Sequence, residues 1–192
     1  MGKRPGTVRE RLLETADRLF YATGIHAVGI DRVIAESGVA KSTMYVHFRT
    51  KEELVAAYLR RRSDVMRARV TGEAEARAQE PVEERVLAVF DVLDEVISEP
   101  GFRGCAFANA AAEYPHHADV QAAIAYDRTW LPALLSGLLH VDGGDELVAA
   151  LVQVYDGANA AAHLDRSATA ARTARKTAEL LLSTRRPASS TA

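Results

Sequence analysis

Apolar residues in this 192-residue chain recur at three- and four-residue steps almost from end to end, and no run alternates as a strand would. A chain patterned this way can bury its apolar surface only by packing helix on helix, so an all-α fold of about nine helices is expected. Thr7 caps a first helix whose Val8, Leu12, Ala16, Leu19 and Phe20 share one face. Thr23-Gly24 ends it, since glycine can take the left-handed conformation of a helix end. Short helices are expected over about Ile30 to Ser37 and Lys41 to Phe48, joined by Gly38-Val39-Ala40. Thr50-Lys51-Glu52-Glu53 then reads as a capping box, with Glu53 reaching back to Thr50, and opens a long helix toward Ala78.

Pro81 marks the entrance of a helix over about Val82 to Ser98. After the break at Glu99-Pro100-Gly101, a small-residue helix runs from Cys105 to Glu113. The next is expected from an Asp119 cap to Leu139, kinked or split at Pro132, which lacks the backbone N–H. Asp142-Gly143-Gly144-Asp145 turns and caps a strongly apolar helix to about His163, and a last helix covers about Thr169 to Ser183. The Pro/Ser/Thr-rich tail, 187–192, is expected to be disordered.

The net charge of −2 hides an asymmetry. Residues 1–69 hold 14 Lys and Arg against 8 Asp and Glu, a net of +6, whereas residues 70–192 hold 10 against 18, a net of −8. A basic head on an acidic body suits a molecule whose head meets a polyanion. No apolar run approaches the roughly 20 residues that span a bilayer, and the basic opening leads into no signal segment, so a cytoplasmic protein without a membrane partner is expected.

Two short helices joined by a glycine turn, with a third before them, describe a helix-turn-helix reader of double-stranded DNA. Val33, Ile34, Val39 and Met44 can pin the two helices at a fixed angle. The second helix presents Lys41, Ser42, Thr43, Tyr45 and His47, whose hydroxyls and basic tip can reach base edges and phosphates. Lys51, at the start of the following helix, can clamp a phosphate.

The residues themselves resemble a family. Thr7 to Ala16 with Leu19-Phe20 and Gly24 is similar to the opening helix of the TetR family of bacterial transcriptional regulators. Gly38-Val39-Ala40-Lys41-Ser42-Thr43-Met44-Tyr45-Val46-His47-Phe48 with Lys51-Glu52-Glu53-Leu54 resembles their turn, recognition helix and next helix start. The resemblance implies that Lys41, Ser42, Thr43 and Tyr45 face DNA and that His47 and Lys51 hold phosphates. Two departures stand out: Val28-Gly29 where many members have a capping threonine or serine, and Ile34 where alanine is common.

Beyond residue 55 the likeness is one of layout. It implies a helix-turn-helix domain over 1–50 and a helical ligand-binding and dimerisation body over 51–186. The expected protein is a ligand-responsive regulator, in most members a repressor, that binds a pseudo-palindromic operator as a homodimer and answers a small-molecule effector. Asn109, Tyr126, Trp130, Tyr155 and Asn159 place polar atoms among apolar residues of the body, as a ligand pocket requires. Leu147, Leu151, Val154, Ala158 and Ala162, with Ala174, Ala178 and Leu181 on the last helix (and Ala171 in its stripe), form apolar stripes expected at the dimer interface.

No catalytic or phosphate-cradling motif appears, so no enzyme is expected. His116-His117-Ala118-Asp119 lacks an evident third and fourth ligand and reads as a helix entrance, and Cys105 reads as small buried packing, so no metal or cofactor is expected. The rival readings are a helical small-molecule carrier or enzyme with an incidental N-terminal motif, and a nucleic-acid binder without sequence preference.

Overall fold

The computed structural model describes residues 7–142 and 144–184; the tail at 187–192 lies outside them. Among the described residues there are nine helices and no strand. They are α1 (Val8–Thr23), α2 (Ile30–Ser37), α3 (Lys41–His47), α4 (Lys51–Ala76), α5 (Val82–Ser98), α6 (Ala106–Glu113), α7 (Ala118–Leu139), α8 (Glu146–Leu164) and α9 (Ala170–Ser183).

Side-chain caps set the start of α1, α4 and α8. Thr7 Oγ1 accepts the Glu10 N–H at 3.2 Å while the Glu10 carboxylate accepts the Thr7 N–H at 2.6 Å, a complete capping box. At α4 the box is altered. Thr50 Oγ1 accepts from Glu53 N–H at 3.1 Å, but the Glu53 carboxylate takes the N–H of Arg49 rather than that of Thr50. Asp145 caps α8 by accepting from Leu147 and Val148.

Three expectations are corrected and a fourth, at Pro132, is narrowed. Gly24 does have positive φ (+100°), yet its ψ of 147° is extended rather than left-handed helical. Phe48 lies outside α3 in extended backbone. Asp119 sits in the first turn of α7 and does not cap it. Pro132 does not split α7, which runs on to Leu139. Proline removes a backbone donor there, but Trp130, Leu131, Leu135, Leu138 and Leu139 are all buried and hold the helix by packing.

The chain divides into two compact units. One comprises the described residues to Asp64 together with Cys105–Asp127; the other comprises Val65–Gly104 and the described residues from Arg128 onward. In the first, α1, α2 and α3 share a core with the start of α4 and with α6. Leu12, Phe20, Val28, Val33, Met44, Leu54, Tyr58 and Ala110 are each 2% exposed or less. Arg62 stacks 3.7 Å from the Tyr21 ring centre and pairs with Asp17 at 3.0 Å.

In the second unit α9 packs on α5 and α8, and Arg175 ties it to Asp91 at 2.8 Å and Glu84 at 3.1 Å. This packing redirects the stripes expected at a dimer interface. Leu151 and Ala178 are 0% exposed; Ala158, Ala162 and Ala174 are also buried; Leu147, Val154 and Leu181 are half-buried against the same core. The stripes meet each other and α5 within one chain. The outward faces carry Ala149, Gln153, Gly157, Ala160 and Leu164 on α8, and Thr173, Thr177 and Leu180 on α9.

Candidate nucleic-acid interface

The turn between α2 and α3 rests on Gly38, whose φ of +65° and ψ of 22° are left-handed helical, a conformation that costs other residues a steric penalty. Val33 and Met44 are fully buried, Val39 is 6% exposed and Ile34 is half-buried, so the four residues expected to pin the helices do so. Neither α2 nor α3 has a side-chain cap: Gly29 and Ala40 occupy the N-cap positions without a capping hydrogen bond. Their first turns therefore keep uncapped N–H groups at the positive end of the helix dipole, which favours a phosphate.

Met44 points α3 into the core. At roughly 100° per residue the positions opposite it are Ser42 and Val46, flanked by Thr43 and Tyr45. Ser42, Lys41 and His47 are exposed, Tyr45 is 43% exposed and Thr43 is half-buried. The Lys41 ammonium bonds Asp31 Oδ1 at 2.9 Å, and that hydrogen bond raises its pKa and keeps it cationic. Lys51 is less open. Its ammonium lies 6.0 Å from the centre of the Phe20 ring, and partial burial lowers its pKa against the opposing pull of Glu52 and Glu113.

Three features escaped the sequence reading. Val46 is 81% exposed in the middle of an otherwise polar face. Asp31 holds Lys41 from the first turn of α2. Glu113, at the end of α6, grips the α1–α2 loop: its carboxylate accepts the N–H groups of Ile25 (3.0 Å) and His26, its carbonyl lies 2.7 Å from His26 Nε2, and His26 stacks on Tyr114 with ring centres 4.5 Å apart. Val46 was visible as an apolar interruption; a contact across 88 residues leaves no local pattern.

The expected effector residues fall into both units. Asn109 is exposed on α6, and Tyr126, 37% exposed, donates to Asp64 at 2.6 Å. Trp130 is buried in the other unit, where Tyr155 packs edge-on to Phe90 and Asn159 Nδ2 donates to the Tyr155 carbonyl at 3.2 Å. Cys105 is half-buried at the N-cap of α6 rather than packed away.

Residues 12–58 match the family model described as bacterial regulatory proteins, tetR family. A stretch of 50 residues is 46% identical to the HTH-type transcriptional regulator YxaF of Bacillus subtilis, covering 26% of each chain. Over 56 residues the chain is 41% identical to the HTH-type transcriptional activator FasR of Mycolicibacterium smegmatis, covering 29% of this chain and 26% of that one. The matched stretch thus spans about a quarter of these curated relatives. The likeness to solved structures is broader. SCO4454, a TetR-family transcriptional regulator from Streptomyces coelicolor, is 40% identical over 92% of this chain and 95% of its own, with a TM-score of 0.82. No helix among the described residues is long and apolar enough to cross a membrane. A helix-turn-helix that presents a polar reading face, and a likeness that continues through nearly the whole chain, lead to one conclusion: this protein belongs to the TetR family of helix-turn-helix transcriptional regulators, which are not enzymes.

Proposed function

We propose that this regulator is a cytoplasmic, ligand-responsive repressor that binds a pseudo-palindromic operator as a homodimer. The observation that carries this reading is the exposed face of α3, where Lys41, Ser42 and Tyr45 stand clear of a helix anchored by Met44. Two such heads enter successive major grooves roughly 34–36 Å apart, the spacing of one helical turn. Repression asks only that the heads occupy the operator; that the relative FasR is named an activator belongs to FasR.

The dimer forms through α8 and α9, on their outward faces. Small residues at Ala149, Gly157 and Ala160 let a partner helix approach closely, and the exposed Leu164 (77%) and Leu180 (69%) supply apolar area. A small-molecule effector binds in the helical body. Where it engages α6 at Asn109, the Glu113 grip on Ile25 and His26 gives it a physical route to the DNA-reading head, in addition to any tilt of α4. Such an effector releases DNA only by preferring the DNA-incompetent shape.

The contacts are separable by experiment, using the full chain and a duplex selected with it from genomic fragments. Lys51→Ala is expected to weaken binding to every sequence and lower the salt slope by about one, because one phosphate contact is lost. Thr43→Ala or Lys41→Ala is expected to cost about 1–3 kcal/mol on the selected site and to relax its base preference. Unchanged affinity and salt slope in both classes would remove α3 and the start of α4 from the interface.

A further inference from the structure

Val46 is the most exposed large apolar side chain, 81% open, among the described residues, and it stands on the helix that reads DNA. Its exposure has no role in the fold. The head is pinned by Val33, Val39, Met44 and Phe48, all buried, while Val46 lies on the opposite side of α3 from Met44. Ser42 precedes it by one helical turn on the same line, and Tyr45 beside it is 43% exposed. A branched hydrocarbon is therefore held at the crest of a surface whose other groups are polar.

The major groove offers hydrogen-bond donors and acceptors at every base pair but one apolar group, the C5-methyl of thymine. An apolar side chain carried into that groove gains by covering this methyl and loses by covering a bare donor or acceptor. We infer that Val46 is a specificity-determining residue that selects thymine through its methyl group in each half-site of the operator. The inference rests on the reading of α3 as the recognition helix. It adds a residue that makes no hydrogen bond and yet discriminates between bases. Ser42, one turn earlier, then addresses the neighbouring polar edge or phosphate.

The test uses the full chain and a duplex selected with it, in which each thymine is replaced in turn by deoxyuridine, removing the methyl and nothing else. At one symmetric position the replacement is expected to weaken binding of the unaltered chain by about fourfold per half-site, the order of one buried methyl group. Val46→Ala, which leaves the core untouched, should lose a similar factor on the thymine duplex and show no further loss on the deoxyuridine duplex. Equal binding of thymine and deoxyuridine duplexes at every position would overturn the inference, as would a Val46→Ala loss that is the same on both. Either result leaves operator binding itself intact, whereas a chain that prefers no duplex at all would overturn that reading together with this one.

Discussion

Replacing Met44 with alanine is expected to destabilise the DNA-reading head by about 2–4 kcal/mol and to abolish operator binding, although the side chain touches no DNA. Met44 is fully buried and sits in the same core as Val33, Val39 and Phe48. It fixes the angle at which α3 leaves the Gly38 turn. Truncation removes three heavy atoms from a close-packed site and leaves a cavity that two short helices, of eight and seven residues, cannot collapse to fill. Small domains are stable by only about 5–15 kcal/mol, so such a loss frays α3 at working temperature. Thermal unfolding followed with operator anisotropy checks this, and a variant that melts and binds like the unaltered chain would mean that the turn is held by something other than its core.

Gly157→Glu should have the opposite signature: an intact chain that no longer dimerises. Gly157 lies on the outward face of α8, and a Cβ built there meets nothing within 4 Å. Helix propensity even favours the change by a few tenths of a kcal/mol or more. In the proposed interface, however, the substitution brings two like charges together near a two-fold axis in a desolvated setting, at a cost of several kcal/mol. Sedimentation should show a folded monomer, with operator affinity greatly reduced because one head holds only half a site. A charge one residue on, at Ala158, would instead be driven into the chain's own core and unfold it. If Gly157→Glu remained dimeric, the interface would have to lie elsewhere.

The contrast between these neighbouring positions shows where sequence reading stops. The apolar stripe on α8 was legible from its three- and four-residue steps, but periodicity specifies a face and not its partner. The stripe packs on α9 and α5 of the same chain, and the face it leaves exposed, where the proposed interface lies, is the less apolar side, Ala149 to Leu164. Helix limits were legible wherever a local group decides them, as at Thr7, Gly38, Pro81 and Asp145. They were less so where packing outweighs a local rule, as when α7 runs through Pro132. The exposed face of α3, the proposed DNA-reading surface, was legible for the same local reason: seven residues of one short helix carry it. The grip of Glu113 on Ile25 and His26 was not, because nothing near either end of that contact announces the other. Nor was the dispersal of the expected effector residues, since which helices share a unit depends on the tertiary fold and not on any single segment.

Whether two copies of this chain read a palindrome through α3 is decided by titrating the full chain onto three duplexes. These are a selected operator, a scrambled sequence of equal length, and the operator with half a helical turn inserted between its half-sites. Two chains are expected per operator, with a preference over the scrambled duplex on the order of 10³ or more at physiological salt. Tight binding is expected to be lost on the spaced duplex, because the second head then faces the wrong side of the helix. Equal affinity for all three duplexes, varying only with salt, would contradict this mode of reading.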